Sequence, residues 1–212
     1  MHSLDSVEVR VLGALIEKEA TTPEYYPLSL NALVNACNQK SNRDPVVNYD
    51  DDTVADALAS LREKHFALTV TGGGRVNKYA QRISETLNLG RRESAVLCVL
   101  FLRGAQTLGE IKDRSDRMFS FADLAETEIV LDKLAGWPAG ALVKKLPRLP
   151  GQKEARYVHL MSGEPDLEAL AEQSSSVAPP TRVAQLEQDL RDLRSEFDDL
   201  KRRFEALESQ LH

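Results

Sequence analysis

The feature that most constrains the fold is a structural unit that occurs twice in the chain. In its first copy, apolar residues at helical spacing begin at Val7 behind the cap candidates Asp5 and Ser6, and a short second helix is predicted from about Ser29 to Gln39. A third helix is expected to begin at Asp50–Asp52, whose carboxylates suit the free N–H groups and the dipole of a helix N-terminus. A strand, a glycine turn at residues 72–74 and a strand ending at Gln81 complete the copy.

The second copy repeats this order of predicted elements. Its first helix begins near Arg92, although the apolar run Val96–Leu102 alone is equally compatible with a buried strand. Thr107–Glu110 has the spacing of a capping box that opens a second helix, and a third is predicted over Ser120–Leu134. The hairpin strands are predicted at Ala141–Leu146 and Ala155–Leu160. Helix, helix, helix and hairpin is the order of a winged helix, so the sequence predicts two winged helices in tandem.

Composition then divides the chain into four segments. Residues 1–89 and 90–161 are predicted to form the two winged-helix domains, and residues 162–181, which contain a serine run and Pro179-Pro180, form a flexible linker. Residues 182–212 follow a different periodicity and are predicted to form a coiled-coil helix. The expected fold class is therefore mainly α with small β-hairpins (α+β).

The tail carries an unbroken heptad seam of apolar residues. From Val183 onward these residues alternate in spacings of three and four: Leu186, Leu190, Leu193, Phe197, Leu200, Phe204, Leu207 and Leu211. The charges that flank the seam are opposite when two identical helices run parallel, which predicts a parallel coiled coil. The phenylalanines in the seam leave the oligomeric state open, with a homodimer favoured over a trimer. Alternatively, the same apolar stripe packs back onto the winged helices, and the linker permits this.

Long polar and apolar strings of the chain resemble one bacterial protein family. These strings are VLGALIEKEATTPEYYPLSLNALVNACNQKSNRDPV, LGRRESAVLCVLFLRGAQTLGEI and RMFSFADLAETEIVLDKL. They are similar to the YceH-like family, and the resemblance extends from about Leu4 to Met161. It implies a tandem winged-helix fold and a cytoplasmic location. It implies no activity, so function has to be inferred from the residues.

The net charge of −6 is unevenly distributed along the chain. Residues 1–89 hold nine basic and twelve acidic side chains, and residues 162–212 hold six and twelve. Residues 90–161 hold twelve basic and nine acidic side chains, so the middle of the chain is mildly basic. The overall acidity therefore does not exclude a nucleic-acid partner.

The predicted third helices and hairpins differ in charge. The segments Asp50–Lys64 and Asp116–Trp137, which contain the third helices, each carry five acids and two bases, unlike a conventional recognition helix that approaches a polyanion. The hairpins are basic, so we expect them to contact phosphates with modest sequence preference. Alternatively, their basic strands are only solvated. The candidate nucleic-acid-binding residues in the hairpins are Arg75, Lys78, Arg82, Lys144, Lys145, Arg148, Lys153 and Arg156.

A polar loop between the second and third predicted helices supplies three more candidates. Lys40, Asn42 and Arg43 are amide and basic side chains of the kinds that contact phosphates and base edges. The alternative is a helix C-cap and turn, in which Asn and Asp side chains satisfy local backbone groups.

Several chemistries have no support in the sequence. The longest apolar run is too short for a membrane span, and the N-terminus lacks the features of a signal peptide, so we expect a cytoplasmic protein that does not enter a membrane. Cys37 and Cys98 are expected to be buried thiols, and the four histidines are scattered. The turn Gly72–Gly74 lacks the spacing of a phosphate loop. No catalytic residue, metal site or cofactor is predicted.

The sequence thus favours a protein without enzymatic activity that binds nucleic acid through its hairpins and self-associates through its tail, with regulation as one interpretation of its role. Double-stranded DNA and a protein are the two partners considered. The first alternative is a protein-interaction scaffold whose acidic helices bind a basic partner. The second is an enzyme whose site is assembled only in space.

Overall fold

The first copy folds as a helical unit with a small sheet. In the computed structural model, which describes residues 3–71, 76–148 and 152–166, helix α1 spans Ser6–Thr21. Its N-terminus is a capping box, because the Asp5 carboxylate accepts from the backbone N–H of Glu8 and the Glu8 carboxylate accepts from that of Asp5, both at 2.8 Å. A short 3-10 helix follows at Pro23–Tyr25.

The rest of the first copy follows the predicted order, with small additions. The elements are β1 (Leu28–Ser29), α2 (Leu30–Cys37), α3 (Asp51–Glu63), β2 (Ala67–Val70), β3 (Lys78–Gln81) and the short α4 (Ile83–Thr86). Ser29 caps α2 and Asp50 caps α3, each by accepting from a backbone N–H. The strands form an antiparallel sheet in the order β1-β3-β2.

The second copy repeats the arrangement, with its own antiparallel sheet, in which the strand Arg156–His159 lies between Gln106–Thr107 and Val143–Lys145. The predicted capping box at Thr107 and Glu110 is confirmed. The apolar run at residues 96–102 lies in a helix, which resolves the ambiguity left by its periodicity. The elements are α5 (Arg91–Arg103), β4 (Gln106–Thr107), α6 (Leu108–Ser115), α7 (Leu124–Ala135), β5 (Val143–Lys145) and β6 (Arg156–His159).

The predicted start of the third helix at Ser120 was wrong. Helix α7 begins at Leu124, because the Asp123 carboxylate accepts from the backbone N–H of Glu126 at 2.8 Å and so ends the preceding loop. Phe121 in that loop is buried and its ring lies edge-on to that of Phe119, with 4.8 Å between centroids. The apolar residues before Asp123 therefore anchor a loop rather than extend the helix.

The two third helices share one register. Their N-caps, Asp50 and Asp123, stand at equivalent positions, and counting from these caps aligns four buried positions of each helix. The aligned pairs are Val54 with Thr127, Ala57 with Val130, Leu58 with Leu131, and Leu61 with Leu134. The repeat inferred from sequence is therefore also a repeat of packing positions.

An ion pair also recurs in both copies. Glu8, in the first turn of α1, is buried and accepts from the Lys64 ammonium at the end of α3, at 2.5 Å. Glu93, in the first turn of α5, is buried and accepts from Lys133 near the end of α7, at 2.6 Å. Each pair connects the start of the first helix of a copy to the end of its third helix.

The first helices of the two copies, α1 and α5, pack against each other at Gly13. A Cβ at Gly13 would lie 3.0 Å from Cβ of Phe101, and the Cys98 thiol donates to the Gly13 carbonyl at 3.3 Å. Fully buried leucines of both helices, Leu12 and Leu97 among them, join one apolar core. The close approach of the two backbones therefore depends on the absence of a side chain at Gly13.

All the described elements lie within one compact unit, Met1–Pro165, and the architecture is α+β. The division at residue 89 falls inside this unit and stays a prediction. The predicted coiled coil of residues 182–212 and the linker from residue 167 onward lie outside the described residues, as does the glycine turn at residues 72–74. Within the described ranges, no helix has the length and apolar character needed to cross a membrane.

Candidate nucleic-acid interface

The cations of the first hairpin lie along β3 and just beyond it. Lys78, at the start of β3, is exposed and makes no ion pair with another described residue. Arg82 follows the strand, and its guanidinium lies 3.4 Å from the carboxylate of Glu85. Arg75 lies outside the described residues. Among the described residues of the first hairpin, Lys78 is therefore the cation near the tip that has no acidic partner.

The cations on the strands of the second hairpin are paired with acids. Lys144 pairs with Glu164, and the Lys145 ammonium lies 3.4 Å from the carboxylate of Glu128. Tyr157 also raises the pKa of Lys145, whose ammonium lies 5.3 Å from the centre of the tyrosine ring. Exposed ion pairs of this kind contribute about 0 to 1 kcal/mol, so a phosphate can displace the carboxylate at little cost.

Arg156, on β6, differs from the other hairpin cations because its guanidinium is hydrogen-bonded within the protein. Its guanidinium donates to the Ala105 carbonyl at 2.8 Å and to the Glu110 carboxylate at 3.1 Å. These bonds connect β6 to the start of α6. The side chain is therefore occupied in joining the hairpin to the helices.

Arg148 and Lys153 flank the tip of the second hairpin. Both are exposed, and neither forms an ion pair within the described part of the chain. Together with Lys78 they form a set that we name the tip cations. These three side chains have the freedom to reach a phosphate without first losing a carboxylate partner.

The prediction that Arg43 contacts nucleic acid is contradicted by its burial. The Arg43 guanidinium is inaccessible to solvent, and it donates to both carboxylate oxygens of Glu17, at 2.6 and 3.2 Å. It also donates to the carbonyl of Ala36, at 2.8 Å from Nη2, and to Gln39 at 3.0 Å. Because every face of this guanidinium is engaged inside the protein, it holds the loop against α1 and α2.

The other two loop candidates remain at the surface. Lys40 is exposed and makes no ion pair with a described residue. Asn42 adopts a φ of 59°, a left-handed conformation that asparagine tolerates, and its side-chain oxygen accepts from the Arg103 guanidinium at the end of α5. The loop therefore also contacts the second copy, where the Asp44 N–H donates to the Leu102 carbonyl at 2.9 Å.

The exposed faces of the third helices do not resemble a polyanion-binding surface. On α3 the exposed side chains include Asp51, Asp52 and Asp56. The equivalent positions on α7 hold Leu124, Ala125 and Ile129, and the exposed fractions of Leu124 and Ile129 are 48% and 69%. At these three positions α3 thus presents acids and α7 presents apolar side chains.

The cysteines and His159 lie in packed surroundings rather than in a candidate site. Both cysteines are buried, and burial raises the pKa of Cys37 to about 12, so this thiol is inert at neutral pH. His159 lies edge-on to Phe101, and burial lowers its pKa to about 4. Within residues 3–71, 76–148 and 152–166, no three potential ligands converge to hold a metal ion.

Sequence reasoning missed the residues that organise the polar loop. Glu17 is 26 residues from Arg43, and Arg10 donates to the carbonyls of Cys37 and Pro45 from within α1. A charged residue within an otherwise apolar helical face is the one feature of the sequence that could have predicted such buried charges. Arg103, Arg114 and Arg117 were also missed, because only the folded chain brings them to one cleft.

Comparisons with known proteins place the chain in a family. Residues 4–152 match the family model described as "Protein of unknown function, DUF480". A UPF0502 protein of Solibacter usitatus is 51% identical over 95% of this chain and 98% of its own length. A UPF0502 protein of Vibrio parahaemolyticus is 47% identical over 96% and 97% of the two chains. The chain therefore belongs to the DUF480 (UPF0502) family of uncharacterised bacterial proteins, with which the YceH-like resemblance is consistent.

Proposed function

We propose that each copy is a winged helix and that the protein binds double-stranded DNA through phosphate contacts at its hairpin tips, without enzymatic activity. The observation that carries this proposal is the position of the tip cations Lys78, Arg148 and Lys153, which are exposed and unpaired among the described residues. Cytoplasmic location and self-association through the coiled coil of residues 182–212 belong to the same proposal.

Phosphate contacts account for both the affinity and the lack of strong sequence preference that we expect. Lysine and arginine neutralise phosphates and release counterions, which gives a binding free energy that depends on salt but not on base sequence. The paired cations Arg82, Lys144 and Lys145 add to this surface when a phosphate replaces their carboxylate partners.

The third helices argue against base readout in the major groove. A recognition helix brings its exposed face close to the phosphates and the base edges. The acids at Asp51, Asp52 and Asp56 would be repelled there, and Leu124 and Ile129 offer no hydrogen bond to a base edge. Binding by the hairpins with modest specificity is therefore the mode that these charges favour.

The test removes the tip cations and compares the variant with a control of equal charge. Lys78→Gln, Arg148→Gln and Lys153→Gln in one protein should lower the magnitude of the log affinity against log salt slope by about 2.7, which is about 0.9 for each lost contact. The control combines Arg62→Gln, Arg91→Gln and Lys112→Gln, three cations that lie on helices and form no ion pair with a described residue. It should retain the slope. An equal loss in both proteins would refute hairpin binding.

Binding of a protein partner is a second candidate function, favoured by the apolar face of α7. Leu124 and Ile129 are among the most exposed large apolar residues described, and Glu128 and Asp132 lie beside them. A photo-crosslinking residue at position 129 would report contact with a partner, and the same residue at the equivalent position 56 is the matched control. Crosslinks from position 129 alone, in a protein that fails to bind duplex DNA at low salt, would favour this candidate.

A further inference from the structure

A small cleft opens where the C-terminal ends of three helices meet the polar loop. Thr21 and Glu17 line it from α1, Arg103 from α5, Arg114 from α6 and Arg117 from the turn that follows. Asn42 closes the side formed by the loop. We name it the arginine cleft; it has a volume of about 40 Å³ and is lined by both copies of the repeat.

The charges that line the arginine cleft do not balance. Three guanidinium groups face one carboxylate, that of Glu17. Glu17 is not free to neutralise them, because both of its oxygens already accept from the buried Arg43. Burial alone would raise the pKa of Glu17, but the hydrogen bonds and charge of Arg43 lower it, so the carboxylate is held ionised by a cation behind the cleft.

Most N–H donors of the three arginines lack a strong acceptor among the described residues. Arg103 donates to the neutral side-chain oxygen of Asn42. Arg114 lies 3.5 Å from Glu110, too far for a strong charge-assisted bond, and Arg117 forms no ion pair with a described residue. Glu110 is further engaged by Arg156 at 3.1 Å and by the backbone N–H of Thr107 at 2.9 Å.

The helix ends around the cleft do not account for the arginines. Cations stabilise helix C-termini, partly by donating to the last carbonyls. Here other groups bond to those carbonyls: the Thr21 hydroxyl donates to Glu17, the Gly104 N–H to Leu100, and the Met118 N–H to Ser115, at 2.8 to 2.9 Å. The guanidinium donors therefore remain free to bind a ligand.

Mutual repulsion among the cations also favours an anion in the cleft. Burial lowers the pKa of Arg103, and the neighbouring charges of Arg114 and Arg43 lower it further, against smaller opposing effects of the Asp44 and Glu17 carboxylates. An oxyanion between these groups would relieve that repulsion and satisfy several guanidinium donors at once. Arginine is well suited to this task, because its planar fork matches the oxygens of phosphate.

We propose that the arginine cleft binds one phosphoryl group of a small anion, and that this ligand bridges the two copies through Arg103, Arg114 and Arg117. Three guanidinium groups around one small cleft suit the oxygens of a single phosphoryl group, either inorganic phosphate or the terminal phosphate of a mononucleotide. The site is independent of the tip cations and hence of DNA binding.

Calorimetric titration tests the proposal with the full chain at constant ionic strength, with chloride as the balancing anion. The probes are inorganic phosphate and adenosine monophosphate. Both should bind the wild type, and Arg117→Gln should weaken binding at least tenfold. Arg117 is exposed, so this variant should retain the wild-type unfolding midpoint. Equal affinity for the two probes indicates free phosphate as the ligand, and tighter binding of the nucleotide indicates contacts beyond its phosphate.

The control is Arg148→Gln, which removes an exposed cation from a hairpin and leaves the cleft intact. It should bind both probes with wild-type affinity, while its DNA affinity falls. Arg117→Gln should lose affinity for both probes and keep the wild-type affinity for DNA. Absence of binding of both probes to the wild type would overturn the proposal. Unchanged affinity in Arg117→Gln would overturn it as well, and so would an equal loss in Arg148→Gln, because the anion would then be bound by surface charge in general.

Discussion

Helices α3 and α7 have the same buried positions and different exposed faces. Both begin at a capping aspartate and bury four side chains in one register, ending at Leu61 and Leu134. On the exposed face, Asp51 and Asp56 of α3 correspond to Leu124 and Ile129 of α7. Packing against the other elements of its own copy thus constrains only the buried side chains of a third helix. Its exposed side chains can differ between the copies.

The loops before the two helices differ as well. In the first copy the loop is fixed by a buried guanidinium, that of Arg43, whereas in the second it is fixed by Phe119 and Phe121. The same architecture is therefore stabilised by a buried ion pair in one copy and by aromatic packing in the other. The comparison of the two copies leads to four predictions.

The largest expected effect comes from breaking the ion pair of the first copy. Arg43→Met leaves the Glu17 carboxylate without its buried cation, which should lower the free energy of unfolding by about 3 to 5 kcal/mol. Lys40→Met, in the same loop but exposed, should change it by less than about 0.5 kcal/mol. Denaturant titration measures both. An equally small effect of the two variants would mean that Arg43 is not the anchor of this loop.

The equivalent core leucines test whether the copies are equally packed. Leu61→Ala and Leu134→Ala each remove a fully buried side chain and should cost about 2 to 5 kcal/mol. Similar losses in the two variants are expected, measured as unfolding free energies in denaturant. A loss in one variant with almost none in the other would show that the shared register does not correspond to shared packing.

Acid should lower the stability of the second copy through His159 on β6. The equivalent strand of the first copy, β3, has no histidine. Burial lowers the folded pKa of His159 to about 4 from an ordinary value of 6.5. As the pH falls from 6.5 towards 4, the unfolded chain takes up the proton first, so the folded state loses about 3 kcal/mol of stability. Stability therefore decreases with acidification in this window.

His159→Phe removes this titration and should flatten the pH dependence of unfolding between pH 6.5 and 4 relative to the wild type. His65→Asn is the matched control, because His65 is exposed and its φ of 61° suits asparagine. The control should keep the wild-type pH dependence. If the unfolding free energy of His159→Phe depends on pH as steeply as that of the wild type, His159 does not contribute to the loss of stability in acid.

The smallest effect on stability should come from exchanging the exposed faces. Ile129→Asp and Asp56→Ile should each change the unfolding free energy by about 0.5 kcal/mol or less, since both positions are outside the core. Circular dichroism during denaturant titration provides the measurement. A loss well above 1 kcal/mol in either variant would place that side chain in a packed interface.

The repeated order of elements was predictable, because each copy carries its own periodicities and cap residues. The capping box at Thr107 and the cap at Asp50 follow from local spacing, and the structure confirms both. The two-residue strands β1 and β4 were not predictable, because they exist only through pairing with β3 and β6. Local patterns thus specify helices, while short edge strands depend on the tertiary fold.

The candidate site was predictable only in part. The positions of cations on the hairpins follow from the sequence, but their partners do not, because Glu110 meets Arg156 across 46 residues. The burial of Arg43 and the convergence of arginines on one cleft likewise require the folded chain. A charge count therefore predicts which segments are basic, and only the structure separates paired cations from free ones.

The most direct test of the account is the affinity of the wild-type protein for a random-sequence DNA duplex across a salt series. The tip cations alone predict a log–log slope of about −2.7 or steeper, with little change when the duplex sequence is altered. Absence of binding at the lowest salt, or an affinity that does not change with salt, would contradict phosphate binding by the hairpins.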